Sequence, residues 1–481
     1  MAVHHLLRCQ VASRAARFRA AGILATAAFM GLSGCDGILD VDTGDVITPG
    51  DLDRAGPAGV ATLVNGMAGT VHLGFDAVAR YSALLSDEMV LAGTFPDRAQ
   101  VDRRRILDDN GALTDEFYVP LHAARFQADT TVMILREWVD APDFQVVRSA
   151  IEEGIARGTL YGGYTRIWLA ETMCWSILTG AYPEAAPLLP DERMGQAIAF
   201  LREAEETAAA GGFEELRVAA ILGQARAHLW LGRFAEAAAL AEQVPRGFLL
   251  RAEFSRSSPD QYNPFYAVTW GDTEAIRWTV GDGTVTARGN EAWEYLGTFL
   301  ALNLVRNRPT GFTSFQGSIP VLLQMRYGRA EAPIPIASGI EARLIRAEAH
   351  VRAGQTLQAQ GILNDLRADF SLRAGLVWGL NPAPPPGTLP PVVLTGSMTS
   401  DLRSVADERA RELWLTGDRQ ATGRRFRLDD SAGLNLFPPV KVAIGGGDDL
   451  AFPIVRRELE GNPNLGTGDA CPPGQAPGSW R

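Results

Sequence analysis

Apolar residues recur at helical spacing along much of the chain. Phe234, Ala237, Ala238 and Ala241 fall at i, i+3, i+4 and i+7, as do Ala359, Ile362, Leu363 and Leu366. Each set makes a stripe along one helix face. Similar strings precede both stripes: Ala227-His228-Leu229-Trp230-Leu231-Gly232 and Ala349-His350-Val351-Arg352-Ala353-Gly354. The pattern predicts a helix before each glycine and another after it. The glycine supplies a left-handed cap, which costs little without a Cβ. His228 and His350 hold equivalent positions in the two strings, which reads as structural. Trp168 and Trp230 lie on predicted helices and are expected in the core. A weaker third copy runs from Tyr164 to Gly180 and on to Pro183-Glu184-Ala185-Ala186.

These units resemble the tetratricopeptide helix–turn–helix repeat, although three unrelated helical hairpins would leave a similar trace. The glycines at 180, 232 and 354 are not evenly spaced, so insertions separate the hairpins. One insertion, residues 246–320, is rich in turn formers and aromatics. Another, 378–400, carries a proline run over 382–386, and the segment 466–481 is Gly/Pro-rich and expected to be extended.

The N-terminus follows a different pattern. Arg8, Arg14, Arg17 and Arg19 precede an apolar run from Ala20 to Leu32, and no acidic residue occurs before Asp36. The run is shorter than the roughly 20 residues that span a bilayer, and with its basic flank it reads as an export signal. It ends Leu32-Ser33-Gly34-Cys35, the form of a bacterial lipobox. The expectation is cleavage of residues 1–34 and acylation of Cys35. Several acyl chains, at about 0.8 kcal/mol per buried methylene, would anchor the protein to a membrane. Asp36, next to that cysteine, bears on membrane sorting. Of the four cysteines, Cys9 leaves with the signal; Cys174 and Cys471 remain and could pair in an oxidising compartment, with two free thiols the favoured expectation.

Composition narrows the function. Hydrophobic residues are 46% and charged residues 21% of the 481, a globular balance. The formal net charge of −11 lacks the basic footprint of a nucleic-acid binder. Lys441 is the one lysine, and no Gly-rich loop precedes it. P-loop, kinase, Ser-Lys and pyridoxal-phosphate chemistries are therefore disfavoured. No cofactor site is expected. The aspartates of 40–45 lack EF-hand spacing, and His72, His122, His228 and His350 form no HExxH pattern, so no metal site is expected.

Several separate stretches resemble the SusD/RagB family of outer-membrane nutrient-binding lipoproteins, in that family's order. They are Cys35-Asp36-Gly37-Ile38-Leu39-Asp40-Val41, Ile47-Thr48-Pro49, Leu63-Val64-Asn65-Gly66 and Leu84-Leu85-Ser86-Asp87-Glu88. Ala342-Arg343-Leu344-Ile345-Arg346-Ala347-Glu348-Ala349 and Leu363-Asn364-Asp365-Leu366-Arg367 follow. Closing the series are the helix from Glu408 to Arg419, then Phe452-Pro453-Ile454, Glu458 and Asn462-Pro463-Asn464-Leu465. Thr416, where the family usually has glutamate, and Thr422-Gly423 depart from the pattern. The resemblance implies a mostly α fold: a single SusD-like domain over 35–465 on tetratricopeptide-like hairpins with long irregular loop insertions. It also implies a non-enzymatic, lipid-anchored outer-membrane protein facing the cell surface. Such a protein delivers oligomeric nutrient, usually oligosaccharide and alternatively peptide, to a TonB-dependent transporter of the SusC type.

A glycan binder needs aromatic faces and nearby polar groups. The 246–320 insertion offers Tyr262, Asn263, Tyr266, Trp270, Asp272 and Trp278, although core packing is an alternative for each aromatic. Glu408, Arg409, Arg411 and Glu412 at helical spacing read as a structural ion network tying the C-terminal helix to the scaffold, with a catalytic acid pair as the alternative. A carboxylate-pair glycosidase and a helical-repeat protein-interaction scaffold are the competing functions.

Overall fold

The computed structural model describes residues 55–178, 184–270, 278–280, 305–307, 322–368, 389–429, 431–436, 447, 449–466 and 468–471. The lipobox, Cys35, Lys441, Asp272, Gly180 and the proline run of 382–386 lie outside them, as does the side chain of Trp278.

Helices pack in succession along the chain. α1 (Gly59–Leu85), β1 (Met89–Leu91), α2 (Pro96–Asp102), α3 (Val119–Trp138) and α4 (Arg148–Thr172) come first. α5 (Pro190–Gly211), α6 (Glu214–Trp230) and α7 (Phe234–Glu242) follow. The expected insertion carries β2 (Leu249–Ala252), α8 (Pro264–Trp270), β3 (Trp278–Val280) and β4 (Val305–Asn307). Next come β5 (Leu322–Gln324), β6 (Ile334–Ser338), α9 (Gly339–Arg352) and α10 (Thr356–Ala368). α11 (Met398–Glu412), α12 (Asp418–Leu428) and α13 (Arg456–Gly461) close the fold. α1 pairs with α3, α4 with α5, α6 with α7 and α9 with α10; α3 also packs on α4, α5 on α6, and α7 on α9. The strands form antiparallel pairs β1–β3, β2–β6 and β4–β5. The fold is mostly α, as the sequence pattern predicts.

The two repeated strings become the same structure. α6 ends with the amide of Gly232 donating to Leu229 O and that of Arg233 to His228 O (3.2 and 2.9 Å). α9 ends with Gly354 donating to Val351 O and Gln355 to His350 O (3.0 and 2.8 Å). Both glycines have left-handed φ, 69° and 71°, which completes the Schellman cap. The equivalent histidines supply the same carbonyl in each turn. Ala237, Ala241, Ala359, Leu363 and Leu366 are buried as their stripes predict.

The third copy is not a hairpin of that form. α4 stops at Thr172, Glu184–Ala186 is irregular, and α4 instead packs on α5, which starts at Pro190. α4 is buried along nearly its whole length. Its glycines set the close approach: a Cβ at Gly158 would lie 2.6 Å from Val132 of α3, and one at Gly163 would lie 2.6 Å from Leu201 of α5. Glycine costs about 1 kcal/mol in a helix interior, and here the cost is offset by packing on two sides.

α9 is a wall between two apolar clusters. Ala342 and Ile345 join the larger one, built on α1 and α3–α6. Ile340, Leu344, Ala347 and Val351 join a second one with α10 and α11.

Cys174 and Cys471 form a disulfide across 297 residues, contrary to the expectation of free thiols. Sequence spacing carried no sign of their proximity. Strand-like contacts bring them together: Phe452 N–H donates to Thr172 O, Cys174 N–H to Phe452 O, and Ile454 N–H to Ala470 O (2.8, 2.9 and 2.8 Å). The segment expected as a tail thus begins attached to the body, with Trp175 Nε1 also donating to Asp469 O at 2.9 Å. Closing so long a loop restricts the unfolded chain. Reduction, or Cys471→Ser, is expected to destabilise the protein by about 2–5 kcal/mol, read as a lower calorimetric Tm in the presence of reductant.

Candidate functional site

Asn263 and Pro264 start α8, the short helix that carries the expected aromatic site. The Oδ1 of Asn263 accepts from Tyr266 N–H (3.0 Å), and its Nδ2 donates to Ala332 O (2.7 Å). Pro264 takes the first helical position, where a missing N–H costs nothing. Phe265, Val268 and Thr269 turn inward: Phe265 stacks on Tyr327 at 5.6 Å between centroids, and Gln324 Nε2 donates to Thr269 Oγ1 (3.2 Å).

That inward set leaves Tyr262, Tyr266 and Trp270 on the other face, four residues apart, each half-buried. Tyr262 meets Tyr266 edge-on at 6.1 Å, and Tyr266 and Trp270 lie with their planes only 14° apart at 6.4 Å. Trp270 Nε1 donates to Gln324 O (3.2 Å), which fixes the indole. The result is a partly accessible ladder of aromatic rings, with Tyr266 and Trp270 on a helix of seven residues and Tyr262 just ahead of it. Asn263 is fully buried and its amide is spent on the backbone, so it positions the ladder and offers nothing to a ligand. Trp278 backbone pairs with Leu91, and Asp272 lies outside the described residues.

The expected ion network is present and larger than the sequence suggested. Glu408, fully buried, accepts from Arg367 of α10 and from Arg411 (2.8 and 2.9 Å). Arg409 bonds Asp418 and the hydroxyl of Thr422. Arg226 makes a bidentate pair with Glu171 (2.7 and 2.6 Å) and approaches Glu341 at 3.6 Å. Burial raises Glu171 and Glu341, the latter to about 7 although Arg226 opposes it. Burial also raises Glu88 to about 8, against the hydrogen bond from Leu415 N–H. Burial opposes ionisation of Asp418 too, but Arg409 outweighs it and holds that carboxyl below its ordinary range.

Neutral buried carboxyls are a mark of catalytic acids, so the space around them decides. The cavity between Arg226, Arg326, Glu341 and Asp418 measures about 10 Å³. That is room for one water, and no saccharide reaches these groups. The network ties helices together. Among the described residues, no cluster of three or more His, Cys, Asp or Glu side chains is arranged to hold a metal.

Trp168 is core, as expected, and Trp230 packs against the same core with part of its ring accessible. Trp230 is half-buried at the end of α6, with Nε1 donating to the exposed Asp191 (3.0 Å).

No family profile and no curated protein matches the sequence. Solved structures do match in fold. The chain is similar to a SusD superfamily protein from Bacteroides vulgatus at 14% identity, over 88% of this chain and 99% of that one, with a TM-score of 0.59. A SusD/RagB family protein from Bacteroides thetaiotaomicron matches at 10% identity, over 84% and 94%, with 0.58. Surface glycan-binding protein A from Bacteroides uniformis matches at 12% identity, over 87% and 100%, with 0.53. The fold of this chain is the SusD fold.

The raised carboxyls predict a pH dependence. Glu88 and Glu341 hold protons in the folded state that the unfolded chain releases near 4.5. Their contribution to stability is complete below that pH and is lost as pH rises through about 7 for Glu341 and about 8 for Glu88. His72 and His122 are lowered by burial to about 4 and about 3, so both are neutral in either state above pH 7. Urea midpoints are expected to fall between pH 7 and 8 and to level off above it, and Glu88→Gln is expected to flatten that fall.

Proposed function

We propose that this protein is a lipid-anchored, surface-facing glycan-binding protein of the SusD/RagB type that delivers oligosaccharide to a TonB-dependent outer-membrane transporter. The observation that carries the reading is the aromatic ladder Tyr262–Tyr266–Trp270 displayed on a SusD fold. Aromatic faces recognise the C–H faces of sugars, and their rigidity limits the entropy lost on binding. One structure of the same fold is a surface glycan-binding protein, which favours glycan over peptide. The carboxyls that burial raises, Glu88, Glu171 and Glu341, are enclosed, which favours binding without bond breaking.

The disulfide supports an exported protein, since such bonds persist in oxidising compartments. Among the described residues no helix is long and apolar enough to cross a membrane, so attachment would rest on the acylated Cys35.

Calorimetric titration of the mature protein with neutral oligosaccharides tests the ligand. Tyr266→Ala and Trp270→Ala are each expected to weaken binding roughly 2- to 12-fold, the loss of one stacking contact of about 0.5–1.5 kcal/mol. Unchanged affinity in both variants would refute the ladder as the site. Purification of the lipidated protein from its native outer membrane tests the partnership, with a TonB-dependent barrel expected at equal stoichiometry. Recovery without the barrel would favour the scaffold reading, and Cys35→Ala is expected to abolish membrane attachment.

A further inference from the structure

A second cleft opens where the α6–α7 turn meets the ends of α9 and α12. Its volume is about 320 Å³, within the range of small-ligand sites. Leu229, Leu231 and Leu428 supply apolar walls, and Trp230 and Phe234 supply aromatic ones. The rim carries Asp191, Asp429 and Ser431. None of this overlaps the α8 ladder.

The two aromatic rings are fixed differently. Trp230 is oriented by its bond to Asp191 (3.0 Å), and the guanidinium of Arg424 lies 5.6 Å from its ring centre. Phe234 is covered by Arg352 at 4.2 Å. Both rings are half-buried, and the indole, whose guanidinium lies farther off at 5.6 Å against 4.2 Å, is the ring left more open to stacking.

Charge around the cleft is balanced. Arg352 pairs with Asp429 (2.6 Å) and Glu348 (3.2 Å), and Arg425 makes a bidentate pair with Glu348 (2.5 and 2.6 Å). The guanidiniums of Arg352, Arg424 and Arg425 are matched by the carboxylates of Asp191, Glu348 and Asp429. A phosphate or carboxylate ligand would meet acids at the rim and no cation free of a partner. An amine would meet three guanidiniums. A neutral ligand carrying hydroxyl donors fits both conditions, because carboxylates are strong acceptors for hydroxyls.

We propose that this cleft is a second saccharide-binding site, in which a sugar ring stacks on Trp230 and donates hydroxyl hydrogens to Asp191 and Asp429. Its small volume suits one or two sugar units, such as the end of a chain whose interior lies elsewhere. The site rests on its own residues. It shares only the ligand class with the reading of the α8 ladder.

The test uses indole-labelled mature protein, with the Trp230 Nε1–H resonance assigned through Trp230→Phe. Glucose, galactose and N-acetylglucosamine are titrated in the millimolar range, with trialanine as a peptide probe. A saturable shift of the Trp230 signal by at least one sugar is expected, retained in a Tyr266→Ala/Trp270→Ala double variant. Trp230→Ala is expected to weaken that binding roughly 2- to 12-fold, the loss of one stacking contact. A Trp230 signal unmoved by all three sugars, or moved only by trialanine, would overturn the proposal. If the signal is silent while ladder variants lose oligosaccharide binding, the second site is refuted and the ladder stands. If the signal responds while ladder variants bind normally, the ladder is refuted and the second site stands.

Discussion

The structure depends on one buried helix rich in guanidinium groups. α12 places Arg419, Gln420, Arg424 and Arg425 inside the protein, and each reaches a different part of it. Arg419 grips Asp87 after α1 with two bonds of 2.8 Å. Arg424 gathers the carbonyls of Ala170, Glu171 and Met173 at the end of α4. Gln420 bridges Thr172 to Leu450, and Arg425 takes Glu348 on α9. A buried charge without a partner costs several kcal/mol, so every one of these partners is held in register or the helix cannot bury. Arginine suits the role, because it keeps its charge and presents donors in a planar fork. Lysine, a compact charge on a flexible stem, would hold fewer partners in fixed geometry, and none occurs among the described residues.

Around that helix, the scaffold and the recognition surfaces divide the work. Hairpins with small residues at their crossings make a rigid stack. Irregular segments then display side chains that the stack does not need. α8 shows the division within seven residues: Phe265, Val268 and Thr269 hold it down, and the remaining face is left to Tyr266 and Trp270, with Tyr262 just ahead of the helix. Rings carried on a helix keep a fixed spacing, which loops give less reliably.

Legibility in the sequence followed the range of the interaction. The Gly232 and Gly354 turns were readable because a Schellman cap is decided by a few adjacent residues. The role of Glu408 and Arg411 was readable for the same reason, since i, i+3 spacing puts both charges on one face, where they pair at 2.9 Å. The bond from Cys174 to Cys471 was not, because nothing local marks residues 297 apart as neighbours. Asn263 illustrates another limit. An asparagine before a proline at a helix start is as good a cap as a ligand, and only its burial decides. Gly180 offered a false hairpin, because a glycine after an apolar stretch marks an end without saying where the next helix begins.

The disulfide gives the covalent chain the form of a ring with two free arms. Force applied between the chain ends would pass from Cys174 straight to Cys471 and bypass the 297-residue span between them. At about 3.5 Å per extended residue, roughly 1,000 Å of contour would stay slack. α5 to α13, with the ladder and the second cleft, lie inside the ring. α1 to α4 lie on the arm that would be pulled. A protein pulled between its two chain ends would therefore lose its early helices first, while both aromatic surfaces remained on an unstretched loop.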